Sequence, residues 1–329
     1  MPITRTALFR ILLLLLILPL SFRGKAQEIH WNGPEQYDTG VQPSVAIHSN
    51  GLVVEFHKSQ NTSRIWYRFG QAHAYYIEWG RSREAGWVGF FPAVAITKEG
   101  YVIVTYSSGS ANKPDLKYSI GQMDLKAGID QAIDWKSKGI TYDSGSHNSI
   151  AYFNNTVVDV HQSGNGLFYR IGWLLKPENG TISWLTGATR YDQGVNPHIA
   201  VDANQHVVEV HQGAANVPNL FYRRGTVHAL IPGSASIDFQ REYLDGQGWS
   251  PTVAMTGNGS VLEFYSLSNA FYRTGRFVAG TRDLINWTSS TVLTSDHELA
   301  DPEVATNGKV AVAVFAKGKT IWYTISDPF

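Results

Sequence analysis

The stretch VVDVHQSGNGLFYRIG, from Val157 to Gly172, places an acid, an imidazole and a guanidinium close together: Asp159, His161 and Arg170. Those groups could move a proton or hold an anion. The residues around them alternate apolar and polar on both sides of Ser163-Gly164-Asn165-Gly166. That pattern predicts a β-hairpin with a tight turn. A two-residue loop at Gly164-Asn165 sets His161 opposite Phe168 and Asp159 opposite Arg170, near enough for a cross-strand pair. The three groups are therefore either a site or part of the scaffold.

Repetition decides part of this. Segments resembling PSVAI, VVEVH, LFYRIG and I-x-W recur six times, three copies are preceded by YDxG, and the matching positions are Pro43, Pro92, Asn148, Pro197, Pro251 and Pro302. A period of roughly 50 residues with four short strands per unit predicts an all-β, six-bladed β-propeller. The sixth copy ends at IWYTISDPF without its fourth strand, while Ile29-His30-Trp31 is an unattached I-x-W near the other end. The N-terminal strand around Ile29–Trp31 is expected to complete the last blade and close the ring without a covalent link.

The acid and the arginine recur as Glu55 with Arg68, Asp159 with Arg170, Glu209 with Arg223, and Glu263 with Arg273. The second copy has Val104 and Ser119 instead, and the sixth has Val312 and Thr324, so the two are kept or lost together. This predicts four structural cross-strand ion pairs. The histidine position runs His57, Tyr106, His161, His211, Tyr265, Val314. Histidines on separate blades do not converge on one ion, so no metal site and no cofactor is expected. The third-strand tyrosine is present in every copy (Tyr67, Tyr118, Tyr169, Tyr222, Tyr272, Tyr323) and is expected to pack between blades.

Ligand candidates are the YDxG segments and the segments after the second strand, which a propeller puts on one face. They are Tyr37, Asp38, His57 and Gln60 in the first copy, with Lys58 beside them. The third copy gives Tyr142, Asp143, His161 and Gln162, and the fourth gives Tyr191, Asp192, His211 and Gln212. Tyrosine beside carboxylate and amide suits a sugar, with its apolar face and hydroxyl rim. The alternative is that Tyr-Asp-x-Gly is simply a turn, with Asp capping backbone amides. Trp87 and Trp249 break the repeat just before first strands and join the candidates, and Trp173 also breaks it.

Composition narrows the classes. Lys and Arg number 27, equal to Asp and Glu, with no basic run, which argues against nucleic acid as a partner. The chain has no cysteine, so neither disulfides nor thiolate metal sites are available. Arg5 and Arg10 precede ILLLLLILPL, and Gly24-Lys25-Ala26 offers a small-x-small cleavage site. Residues 1–26 are read as a signal peptide and 27–329 as one propeller domain, secreted to an extracellular or periplasmic space with no remaining membrane span. An uncleaved anchor is the alternative.

On repeat length, blade count and strand pattern, residues 29–326 resemble secreted six-bladed propellers, particularly the fucose-specific lectin-like group, whose blades repeat a sugar site of aromatic, acidic and arginine side chains. Sialidases are also similar, but their S-x-D-x-G-x-T-W box is not intact in any copy. TRDLINW, from Thr281 to Trp287, looks like an outer-strand segment of propeller glycosidases. The acids left after the expected pairs are Asp38, Asp143, Asp192, Asp245, Asp301 and Glu303, and nothing in the sequence singles out a catalytic acid and base among them. The reading is a monomeric, non-catalytic propeller that binds glycans through repeated rim sites. A glycan-active enzyme and a protein-binding scaffold are the alternatives.

Overall fold

The structure, a computed structural model, describes residues 29–110, 113–229, 233–256, 259–294 and 299–328. The expected signal peptide lies outside them. The chain begins with β1 (Trp31–Thr39). Blade one is β2 (Val41–Ile47), β3 (Leu52–Lys58), β4 (Arg64–Ala72), β5 (Ile77–Trp79) and β6 (Arg83–Val88); blade two is β7 (Phe90–Ile96), β8 (Tyr101–Ser110), β9 (Lys113–Gln122) and β10 (Asp134–Ser144). Blade three is β11 (Ser146–Phe153), β12 (Thr156–Ser163), β13 (Gly166–Trp173), β14 (Ser183–Trp184) and β15 (Thr189–Gln193). Blade four is β16 (Val195–Val201), β17 (His206–Ala214), β18 (Val217–His228), β19 (Ser236–Phe239) and β20 (Tyr243–Gln247). Blade five is β21 (Trp249–Met255), β22 (Ser260–Ser266), β23 (Ala270–Phe277), β24 (Ile285–Trp287) and β25 (Thr291–Thr294), and blade six contributes β26 (Leu299–Thr306), β27 (Ala311–Lys317) and β28 (Thr320–Ser326).

Each blade is an antiparallel meander of four strands. In blades one, three, four and five the outermost strand comes in two pieces that both pair with the third, as β5 and β6 do with β4. The last blade runs β1-β28-β27-β26, so the N-terminal strand closes the ring as expected. Its Trp31 meets Ser326 and its Thr39 meets Thr320. Among the described residues, no helix is long and apolar enough to cross a membrane.

The second strand of each blade is covered on both faces by the neighbouring blades. Strand β3 is buried along nearly its whole length, and Val53, Val54, Glu55 and Phe56 have no exposed surface. Its polar side chains are therefore desolvated together with its valines and must find partners inside the protein.

Two repeated devices hold the ring together, one linking neighbouring blades and one packing the third strand of a blade against its fourth. The third-strand tyrosines are buried, and the hydroxyls of five accept a hydrogen bond from the next blade's I-x-W isoleucine amide: Tyr67 from Ile133 (3.2 Å), Tyr118 from Ile182 (3.3 Å), Tyr169 from Ile237 (3.4 Å), Tyr222 from Ile285 (3.4 Å) and Tyr323 from Ile77 (3.3 Å). Tyr272 makes the sixth link by donating to the Ile29 carbonyl (2.8 Å), which fits Ile29-His30-Trp31 as the last blade's I-x-W. The second device is the glycine that ends each RxG or SIG motif. A Cβ on Gly121 would lie 2.2 Å from Ile133 and 2.9 Å from Trp135, and one on Gly172 would lie 2.6 Å from Ile182. The glycine leaves the space in which the I-x-W isoleucine and tryptophan pack.

Candidate functional site

The hairpin register is the one the sequence implies: Asp159 faces Arg170 and His161 faces Phe168. Glu55 with Arg68, Glu209 with Arg223 and Glu263 with Arg273 are likewise opposite each other. The side chains nevertheless divide differently from the four expected ion pairs. Only Glu263 touches its arginine, at 2.5 Å from the Arg273 Nε. In the other three blades the acid holds the histidine two residues along the same strand face: Glu55 to His57 at 3.0 Å, Asp159 to His161 at 2.7 Å and Glu209 to His211 at 3.1 Å. Their arginines turn to an aspartate from the preceding blade's outermost strand, Arg68 to Asp38 and Arg170 to Asp143 at 3.4 Å, and Arg223 to Asp192.

The exception has a local cause. Blade five has Tyr265 at the histidine position, and its hydroxyl bonds Ser290 at 2.6 Å. Glu263 has no imidazole to hold, so it takes the guanidinium, which also contacts Asp245.

Tyr37-Asp38, Tyr142-Asp143 and Tyr191-Asp192 are not in turns. They lie in β1, β10 and β15, where the tyrosine turns inward. Tyr142 donates to Asp159 at 2.7 Å and Tyr191 to Glu209 at 2.9 Å, while Tyr37 stacks on Trp79 with ring centres 4.3 Å apart. Burial, reinforced by Asp159 and Glu209, raises the phenols of Tyr142 and Tyr191 well above their ordinary value. For His57, burial pulls downward but the Glu55 carboxylate outweighs it, so the imidazole is raised. His211 is raised to about 10 in the same way, with burial opposing Glu209 and Glu242.

These contacts redefine most rim candidates as links between blades. His57, His161 and His211 are buried at the centre of their networks. Gln162 accepts the Asn196 amide at 3.2 Å, and the buried Gln212 accepts from the Asn196 side chain at 3.3 Å. Trp87 stacks on Tyr106 at 5.7 Å and meets Trp135 edge-on. Trp249, half-buried, opens β21, and Trp173 donates to the Ala229 carbonyl at 3.1 Å. An open rim cavity of about 220 Å³ remains at blade one, lined by Asp38, Thr39, His57, Gln60, Asn61 and Trp66, together with Ser59 and Ser82.

A second opening lies on the propeller axis, where all six first strands begin. Every first strand carries a β-bulge there, with register shifts from Val41 to Ser44, Phe90 to Ala93, Ser146 to Ser149, Val195 to His198, Trp249 to Thr252 and Ala300 to Glu303. Each bulge puts one non-glycine residue in the left-handed region: Gln42, Phe91, His147, Asn196, Ser250 and Asp301, with φ between 48° and 55°. Five of them precede proline. Such a conformation costs about 1–3 kcal/mol per residue and persists only where the surroundings enforce it. A bulge re-aims a side chain, and here all six residues line one cavity of about 130 Å³ at the mouth of the central channel.

The ring is internally braced. The Gln42 amide donates to the Asp301 carboxylate, and the Gln42 side chain accepts the Phe91 amide at 3.0 Å. Phe91 packs on His147 with ring centres 3.7 Å apart. One layer deeper, the Val253 amide donates to His198 Nδ1 at 3.2 Å, which leaves the proton on Nε2 for Glu303, 2.8 Å away. Thr252 also reaches Glu303, at 3.3 Å. Burial lowers His147 to about 4, so it is uncharged at neutral pH, and burial together with the nearby Glu303 raises Asp301. The mouth thus combines an aromatic pair, amides, a hydroxyl and two differently placed carboxylates.

Sequence reading did not single out this ring, apart from counting Asp301 and Glu303 among the unassigned acids. The available signal was that the residue before the repeated position changes in every copy while that position is proline in five of six.

Fold and mouth together define a six-bladed β-propeller with a polar axial cavity. No family model matches the chain, and no curated protein matches it. Among solved structures, it is similar to a protein of unknown function from Dyadobacter fermentans (11% identity, TM-score 0.59, 93% of this chain and 99% of that one). It is also similar to the fungal lectin of Aleuria aurantia, a six-bladed propeller described for its fucose recognition (12% identity, TM-score 0.56, 88% and 93%). A third similar structure is a subtype N10 neuraminidase-like protein of A/little yellow-shouldered bat (10% identity, TM-score 0.53, 92% and 100%). At these identities the likeness concerns the fold.

Proposed function

We propose that this propeller binds carbohydrate, and that its principal site is the axial mouth rather than a set of repeated rim sites. The observation that carries the reading is the ring of strained positions, one per blade, filled by six different side chains around one cavity. A scaffold role would be served by one side chain used six times, as the tyrosine links are. Amide, hydroxyl and carboxylate groups beside an aromatic face match the hydroxyl rim and apolar face of a sugar. The fucose-recognising lectin among the similar folds is consistent with this class of ligand.

A second reading rests on the blade-one cavity, where Trp66 stands beside Asp38, His57 and Gln60. A glycan array followed by calorimetry separates the two. Under the axial reading, Asn196→Ala and Asp301→Asn each weaken binding at least tenfold, Trp66→Ala leaves it unchanged, and mass spectrometry finds the glycan intact. Loss of binding only in Trp66→Ala moves the site to the rim, released sugar makes the protein an enzyme, and silence across a broad array overturns the carbohydrate reading.

The proposal includes export. N-terminal sequencing of protein secreted by an expression host is expected to begin at Gln27, and a retained Met1 start on membrane-bound protein would contradict it.

A further inference from the structure

Blade four differs from its siblings by one carboxylate. At blades one and three two acids, one of them from the preceding blade, gather with an arginine and a histidine: Glu55, Asp38, Arg68 and His57 in one, Asp159, Asp143, Arg170 and His161 in the other. A protonated histidine makes either set electrically neutral. Blade four has the same four groups in Glu209, Asp192, Arg223 and His211, and adds Glu242. The register pairs Tyr222 with Tyr243, Tyr169 with Thr189 and Tyr67 with Arg83, so the positions matching Glu242 are Ala188 and Ser82. Among the three blades with this histidine, the extra carboxylate is specific to blade four, and a proton on His211 leaves its charge uncompensated.

The geometry points to a divalent metal site at His211, Asp192 and Glu242. One donor atom from each lies within 4.8 Å of the others. Bonds of about 2.1 Å to zinc put ligand atoms roughly 3.4 Å apart, so a modest inward movement is enough. His211 has no exposed surface, and its Nε2 makes no well-formed hydrogen bond while lying 3.2 Å from Glu242. Its other nitrogen is held by Glu209 at 3.1 Å, and Glu209 is itself held by Tyr191 at 2.9 Å. A carboxylate on the far side of a ligating imidazole fixes the tautomer and strengthens the donor. With Zn²⁺ replacing the proton, three carboxylates and one guanidinium are balanced. Arg223 sets the limit of the site, because it contacts Asp192 and stands 3.9 Å from Glu242, leaving ions an approach from the side of the half-exposed Glu242. One nitrogen and two oxygen donors favour Zn²⁺ over an all-oxygen ion such as Ca²⁺.

The test uses the whole protein stripped with chelator and titrated with ZnCl₂ by calorimetry. One equivalent is expected to bind, CoCl₂ to give a visible absorption band at the same stoichiometry, and CaCl₂ to give neither. Glu242→Gln is expected to lower zinc affinity by roughly 100-fold, at or beyond the loss seen when an outer partner of a ligand is removed. Its melting temperature without metal should match or exceed that of the parent, which shows that it folds. Glu84→Gln, an exposed acid on blade one, should change nothing. Absence of zinc binding by the parent, or undiminished binding by a folded Glu242→Gln variant, overturns the assignment and leaves His211 as a buried imidazolium between two carboxylates.

Discussion

Arg273→Ala is expected to destabilise the protein by about 3–5 kcal/mol at neutral pH, the range for removing one partner of a buried ion cluster. The guanidinium is the cation between Glu263, whose side chain has no exposed surface, and Asp245, 1% exposed. Without it, two desolvated carboxylates face each other across the seam between blades four and five. Burial and Glu263 already raise Asp245 well above the ordinary range, and Arg273 is the first influence lowering it. Its removal raises Asp245 further in the folded state than in the unfolded chain. A carboxyl raised by folding retains its proton as pH climbs, so the folded state is disfavoured as pH rises from about 4 through the raised value. The deficit of the variant should therefore shrink on acidification. Urea unfolding of parent and variant at pH 7 and pH 4.5 measures both effects. A loss under 1 kcal/mol, or one that grows in acid, would show that the cluster is not what holds this seam.

The second large effect is expected from removing β1. This strand supplies the outer edge of blade six, and it also touches two other blades. Trp31 meets Phe264 and Tyr272 of blade five with ring centres 5.0 and 5.6 Å apart. Tyr37 stacks on Trp79 and Asp38 pairs with Arg68, both in blade one. A chain starting at Gly40 loses three interfaces at once and exposes β28 as an unpaired edge, a template for association with other chains. It should purify as oligomers or aggregates, and a synthetic peptide of residues 29–39 supplied during refolding should restore monomer. Size-exclusion chromatography reads the outcome, and a stable monomeric truncation without peptide would refute the closure argument.

The sequence made the frame legible because a propeller repeats its constraints. The tyrosine, the glycine before I-x-W and the alternation in each hairpin recur, so strand order, register and even the closing strand could be read from comparison of copies. Partner choice could not. Glu55 and Arg68 are opposite each other, yet which groups they hold depends on Asp38, a residue of another blade that one-dimensional spacing does not bring near. For the same reason Tyr142 and Tyr191 read as sugar-facing residues or as parts of a turn, although burial at a seam makes them donors to acids. The axial ring stayed hidden for a different reason. Its residues share a backbone conformation and no side-chain type, and a search for repeated residues passes over a position defined by φ.

That shared conformation separates shape from identity. The bulge and the following turn into the blade come from backbone pairing that every copy provides, so the side chain at each of Gln42, Phe91, His147, Asn196, Ser250 and Asp301 is held in place whatever it is. The mouth behaves as six sockets on a fixed flange, with neighbouring plugs in contact. Descendants of one ancestral blade can exchange a plug one at a time, and the ligand preference of the channel can drift by single substitutions while the ring beneath it keeps its form.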